Sequence, residues 1–183
     1  MPFLAAANLM PKRTPYSDVE GSKCRLHKIM RKRLTSESQS VSDQAWLNLE
    51  TAVTFELTSE DESHPIETAL SSRGRGGWRA AGPGAQTIRL IFDGPQRLRR
   101  INLVFNEAEM SRTQEFVLRW CSEDDQGFRE ILRQQWNFSP PQTAREIEDY
   151  QVDLASVKIL ELVIVPDIGG GNAYASLESL RLA

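Results

Sequence analysis

The sequence predicts an all-β fold, a sandwich or barrel of about eight short antiparallel strands with one or two short helices. Three observations carry that expectation. Apolar and polar residues alternate with a period of two in segment after segment, as in Val53, Phe55 and Leu57 against Thr54, Glu56 and Thr58. Turn-forming residues separate most of these segments, and helical periodicity is nearly absent. The chain has 183 residues, 40% of them hydrophobic and 26% charged. That composition suits one globular domain able to bury a core without metals or disulfides. The longest unbroken apolar run, Phe3 to Ala7, is far short of the ~20 residues a membrane helix needs.

Taken in order, residues 1–41 read as a flexible basic arm. Residues 1–37 hold eight Lys and Arg against three Asp and Glu, a balance of +5, with a cluster at Lys28, Arg31, Lys32 and Arg33. Such an arm suits contact with nucleic acid or an acidic surface. Residues 38–183 carry a balance of −8, which gives no electrostatic footprint for duplex DNA. Nucleic acid is therefore expected only through the arm. Ser36–Asp43 reads as a linker, and Asp43 as the cap of a short helix, AWLNLE, whose Trp46, Leu47 and Leu49 pack on a domain spanning 42–183.

Val53–Leu57 is the first expected strand. His64–Leu70 reads as a short helix, with Pro65 in its first turn and Glu67 at its positive end. A glycine-rich loop, SSRGRGG, follows. Further strands are expected at Gln86–Phe92, Leu98–Phe105, Glu115–Cys121, Arg129–Phe138, Arg145–Leu154, Lys158–Val165 and Ala175–Leu182. The turns between them include Asp93-Gly94-Pro95, Ser139-Pro140-Pro141 and Gly169-Gly170-Gly171.

The residues give little support to an enzyme. His27 and His64 are the two histidines, and neither stands in a nucleophile-elbow motif. Two Cys and two His at these spacings fit no usual zinc set. RGRGGW lacks the Lys-Ser/Thr ending of a phosphate loop. Carboxylates such as Glu107, Glu109, Glu146 and Glu148 could serve glycoside hydrolysis only at a defined separation, which a sequence does not give. Cys24 and Cys121 read as free thiols of a reducing compartment, and the N-terminus has no basic residue before its apolar stretch, so a cytoplasmic location is expected.

A set without a nucleophile is more suggestive: Arg112, Gln114, Arg133, Gln135 and Asn137, interleaved with aromatic residues in RTQEF and RQQWNFSPP. Guanidinium and amide groups hydrogen-bond hydroxyls, and an aromatic face packs on the apolar face of a sugar ring. These five are the expected ligand contacts. The competing reading makes Trp136 and Phe138, which share parity with Leu132, part of the core.

LTSEDESHPIETAL, GGWRAAGPGAQTIRLIFDGPQRLRRINLVF and EFVLRWCSEDDQGFREI together resemble the discoidin family, the coagulation factor V/VIII type C or galactose-binding-like domain. The likeness rests on Thr58-Ser59, the His64–Leu70 helix, Trp78, the strand before Pro95 to Ile101, and Ser122 to Gly127, and covers about residues 50–183. It implies an eight-stranded antiparallel jelly-roll sandwich with Trp78 in its core. It also implies a non-catalytic binding module, usually for glycans, lipid head groups or proteins, the ligand held by loops at one end; here a carbohydrate or a protein partner is expected, and no membrane. Sugar-binding relatives often hold a structural calcium through an acid on the last strand. Ser179 stands at that position here, so no cofactor or metal is expected and calcium is disfavoured. Ser59-Glu60-Asp61, His64, Trp78-Arg79-Ala80-Ala81, Gly84 and Thr87-Ile88 also resemble the N-terminal domain of the X-ray repair cross-complementing scaffold protein. That likeness implies the alternative of an intracellular protein–protein scaffold. Oligomeric state is not encoded in any of these features.

Overall fold

The computed structural model describes residues 45–71, 76–125 and 127–183. The basic arm, Cys24, His27, the expected domain start at residue 42, Asp43 and most of the SSRGRGG loop lie outside the described residues.

The fold is an antiparallel jelly-roll β-sandwich with two short helices. In chain order come α1 (Leu49–Ala52), β1 (Val53–Leu57), α2 (Ile66–Leu70), β2 (Trp78–Pro83), β3 (Gln86–Asn106), β4 (Arg112–Cys121), β5 (Arg129–Phe138), β6 (Arg145–Val165), β7 (Tyr174–Leu177) and β8 (Ser179–Leu182). None of the described helices is long and apolar enough to cross a membrane.

Among the described residues the strands number eight, but they differ from the expected set in three ways. The segments expected at 86–92 and 98–105 are one strand, β3, and those at 145–154 and 158–165 are one strand, β6. The Asp93-Gly94-Pro95 turn does not end β3. Instead the ladder slips: β3 advances from Ile91 to Gln96 while β6 moves only from Ile159 to Val157. Pro95 lacks an N–H, and this bulge is a place where none is needed. Next, the expected 175–182 strand is divided at Glu178 into β7 and β8, which pair with different partners. Finally, β2 forms where only a loop to Trp78 was expected, and it pairs with β7.

The two long strands build the sandwich. The first half of β3 lies between β1 and the second half of β6, which continues to β4 and β5. The second half of β3 lies between β8 and the first half of β6. One hydrogen-bonded surface is thus folded over on itself, and its inner face is the core. Phe92, Leu98, Ile101, Leu103, Leu118 and Ile164 there are fully buried. The rings of Phe105 and Phe116 meet at 5.1 Å between centroids. Each such side chain contributes ~1.5–3 kcal/mol relative to exposure. Trp78 is 1% exposed, a core residue as the family resemblance implied.

The first helix is displaced from its expected position. Residues 45–48 are not helical, because the Leu47 N–H donates to the Leu182 carbonyl at 2.8 Å and draws the chain alongside β8. Trp46 instead meets the guanidinium groups of Arg100 and Arg181, 4.9 and 5.6 Å from its ring centre. The second helix occupies Ile66–Leu70, within the expected span, with Ile66 and Ala69 buried. Its first free N–H, on Ile66, donates to the Glu60 carboxylate at 2.7 Å.

Candidate functional site

A cleft of about 680 Å³ opens among the start of β2 with the residues before it, the β3–β4 turn and the start of β7. Three segments distant in sequence wall it. They are placed by the pairing of β2 with β7, by backbone hydrogen bonds and by side chains that cap the turns.

The first wall runs through His64, Gly76, Trp78 and Arg79. The Arg79 N–H donates to the His64 carbonyl at 3.1 Å, and the Asp61 N–H donates to the Arg79 carbonyl at 2.9 Å. Gly77, at φ +66°, lets the loop lie directly on the β7–β8 corner. A Cβ there would stand 2.5 Å from the Leu177 carbonyl oxygen and 2.7 Å from the Glu178 Cα. The Thr68 hydroxyl donates to the Gly77 carbonyl at 2.7 Å and fixes that approach.

The second wall is the turn Asn106–Met110. Its Glu107 N–H donates to the Ala144 carbonyl at 2.7 Å. One Glu107 oxygen accepts the N–H groups of Glu109 and Met110 at 2.8 and 3.2 Å, and the other accepts Arg112 Nε at 2.8 Å. Burial raises this carboxyl, but the Glu109 N–H, the Arg112 guanidinium and the Met110 N–H outweigh it and hold the group below the ordinary glutamate range.

The third wall is Asn172–Tyr174, reached through a loop in which Asp167 accepts the N–H groups of Gly169 and Gly171 at 2.9 and 3.2 Å. The Gly84 N–H donates to the Ala173 carbonyl at 3.2 Å and ties this wall to the end of β2. The Tyr174 ring is exposed, with the Arg79 guanidinium 5.1 Å from its centre. A second, more open hollow, lined by Asp61, Glu62 and Ser63, shares Arg79 and Tyr174 with the cleft. Asp61 is held below the usual aspartate range, first by the Ser63 hydroxyl and then by its N–H.

This arrangement suits recognition more than reaction. Tyr174 and Met110 present apolar surface, while Arg79, Asn106, Asn172 and Glu109 present donors and acceptors around it. Two other carboxylates of the lining are committed to structure. Glu107 is paired with Arg112, and Glu178 is paired with Arg145 at 2.8 Å. The Ser176 hydroxyl donates to the Asn106 carbonyl at 3.4 Å. Among the described residues, no three His, Cys, Asp or Glu side chains gather closely enough to hold a metal ion.

The five residues singled out in the sequence do not form one site. Antiparallel pairing sets Thr113 opposite Asn137, Glu115 opposite Gln135 and Val117 opposite Arg133. Arg133, Gln135 and Asn137 therefore lie on the outer face of β5, away from the core. There Arg133 and Gln135 both bind the Glu115 carboxylate, at 2.5 and 2.9 Å, and the Thr113 hydroxyl donates to Asn137 Oδ1 at 2.7 Å. Arg112 and Gln114 point the other way, into the sandwich, at 6% and 1% exposure. Arg112 Nη1 donates to Gln114 Oε1 at 3.0 Å, and its guanidinium lies over the Phe138 ring. The parity of Trp136 and Phe138 with Leu132 does mark the inner face, as the competing reading held.

Arg79, Asn172 and Tyr174 were not among the residues singled out. Their only local signal is the glycine punctuation beside them, Gly76-Gly77 and Gly169-Gly170-Gly171, which marks close backbone approach but names no ligand group.

No family model and no curated protein sequence matches this chain. Solved structures resemble it in fold. The module CpGH89CBM32-5 of Clostridium perfringens, solved with GalNAc-β-1,3-galactose, aligns with a TM-score of 0.58 at 16% identity, covering 75% of this chain and 99% of that one. The family 32 carbohydrate-binding module of C. perfringens NanJ, solved with galactose, aligns at 0.56 and 11% identity, covering 75% and 96%. A GH29 fucosidase of Ruminococcus gnavus, solved with fucose, aligns at 0.55 and 7% identity, covering 74% of this chain and 26% of the enzyme.

Proposed function

We propose that this chain is a non-catalytic carbohydrate-binding module whose ligand sits in the cleft against Tyr174. The observation that carries the reading is an exposed tyrosine ring in a cleft that Arg79, Asn106, Asn172 and Glu109 also line, at the edge of a jelly roll. A sugar ring offers an apolar face for the tyrosine and hydroxyls for the four polar groups. The fold neighbours solved with galactose and with GalNAc-β-1,3-galactose support the same ligand class. The Arg79 guanidinium lies 5.1 Å from the centre of the Tyr174 ring, which puts a donor fork beside the aromatic face. The scaffold alternative has no observation in its favour, and the commitment of Glu107 and Glu178 to arginines argues against their use as a hydrolytic acid and base.

A glycan array probed with the full chain tests this reading. Saturable binding to a related set of glycans is expected, weakened at least tenfold by Tyr174→Ala and by Arg79→Ala. Arg133→Ala separates this cleft from the outer face of β5. A loss confined to Arg133→Ala would move the site to that face, and binding to no glycan at all would end the carbohydrate reading.

A further inference from the structure

We propose that Arg112 is a positioning residue for the cleft: it touches no ligand, yet it holds two of the three walls, so that ligand affinity depends on it. Its side chain is 1% exposed, closed off from the cleft by the turn it supports. Three polar attachments converge on one guanidinium. Nε donates to Glu107 Oε2 at 2.8 Å, and Nη1 donates to Gln114 Oε1 at 3.0 Å and to the Pro166 carbonyl. The Phe138 ring, 5.2 Å away, fixes its plane.

Two of those attachments lead to the cleft. Through Glu107, Arg112 reaches the N–H groups of Glu109 and Met110, which shape the second wall. The Pro166 carbonyl is the point where β6 gives way to the loop that carries Asn172 and Tyr174. The same loop is pinned two residues on, where the Ile168 N–H donates to the Thr113 carbonyl at 2.9 Å. One buried cation therefore sets the relation between the Glu109–Met110 turn and the loop leading to Tyr174. The geometry calls for a planar fork. A lysine ammonium could serve Glu107 or Pro166 but could not present the fixed donor pattern that serves both together with Gln114. Gln114, 1% exposed, acts behind Arg112 as an orienting acceptor.

The ligand half of this inference rests on the carbohydrate reading, whereas the structural half does not, so the test has two arms. In the first, the amide resonances of Glu109 and Met110 are followed against pH by nuclear magnetic resonance in the full-length chain. They report ionisation of Glu107, whose carboxylate they bind. In the wild type the midpoint is expected below the ordinary glutamate range. In Arg112→Met it should rise out of that low range, because burial then acts without the guanidinium beside it, and in Arg112→Lys it should lie between. A general loss of packing would not produce that ordered series. In the second arm, galactose is titrated into the same proteins. Arg112→Met should weaken binding at least tenfold and Arg112→Lys less. Glu107→Gln, which keeps the shape but weakens the link to Arg112, should weaken it several-fold, and it serves if Arg112→Met does not fold. An unchanged midpoint in Arg112→Lys or Arg112→Met overturns the clamp. An unchanged galactose affinity beside a shifted midpoint overturns the dependence of the ligand on it. A wild type that binds neither galactose nor any arrayed glycan overturns the proposed function, and with it the affinity half, while the midpoints still decide the clamp.

Discussion

Glu146 is placed at a cost: it is 3% exposed, and its carboxyl lies within hydrogen-bonding reach of a second acid, Glu148. Burial first, and the neighbouring Glu148 second, push its carboxyl up to about 8. The folded state therefore holds a proton that the unfolded chain releases near the ordinary value of 4.5. The stability this group confers is complete below that ordinary value and is lost as pH rises through about 8. Glu146→Gln removes the titration. Its stability relative to the wild type should grow from pH 5 to pH 8 and level off above, by roughly 3–5 kcal/mol in denaturant unfolding. Equal pH profiles for the two proteins would refute a buried neutral Glu146. Gly77 presents the opposite case, a residue chosen for what it lacks. Gly77→Ala drives a Cβ into the backbone of Leu177 and Glu178 at a left-handed φ, and should cost roughly 1–3 kcal/mol. Because the displaced corner belongs to the cleft, ligand affinity should fall with it. An alanine variant of wild-type stability would show that the corner yields freely.

Among the elements, alternation fixes one face of each strand, and register then lines up what that face carries. Glu56 on β1, Arg89 on β3, Glu161 on β6 and Arg119 on β4 share one rung across four strands. Arg89 Nε donates to Glu161 at 2.8 Å, and Arg119 and Glu56 flank the pair at 3.7 and 3.5 Å. The Glu161 side chain is only 5% exposed, covered by its own partners on the outer face. Cross-strand pairs of this kind are the unit of sheet stabilisation. Glu161→Ala leaves two arginines facing each other over an empty position. Discounted for their partial exposure, the loss should be about 1–2 kcal/mol by calorimetry or denaturant. No loss would mean that the rung is electrostatically idle. The outer face of β5 follows the same logic: Arg133, Gln135 and Asn137 complete a ladder with Glu115 and Thr113, which explains their chemistry without a ligand.

At the level of the full fold, the class of architecture and many of its strands were readable from the residue order alone. Period-two alternation is a local property, so Val53–Leu57, Glu115–Cys121 and Arg129–Phe138 were legible where they stand, as was the burial of Trp78 through its family likeness. Turn chemistry was legible too, but its outcome was not. Asp93-Gly94-Pro95 can end a strand or bend one, and the choice was made by β6, whose ladder continues past the bulge. Alternation also leaves open which of two faces becomes the core. For β4 the inner face begins with Arg112 and Gln114, because the sandwich there closes over the loops that they support. The cleft was least legible of all. Arg79, Glu109 and Tyr174 lie far apart in the chain and meet because β2 pairs with β7, and β7 in turn bonds to the end of β3, where the Glu109 turn begins. Local sequence encodes the period and the turns. Register, the buried side of each strand and the site were settled by long-range pairing, since each of these depends on contacts between residues that no local pattern connects.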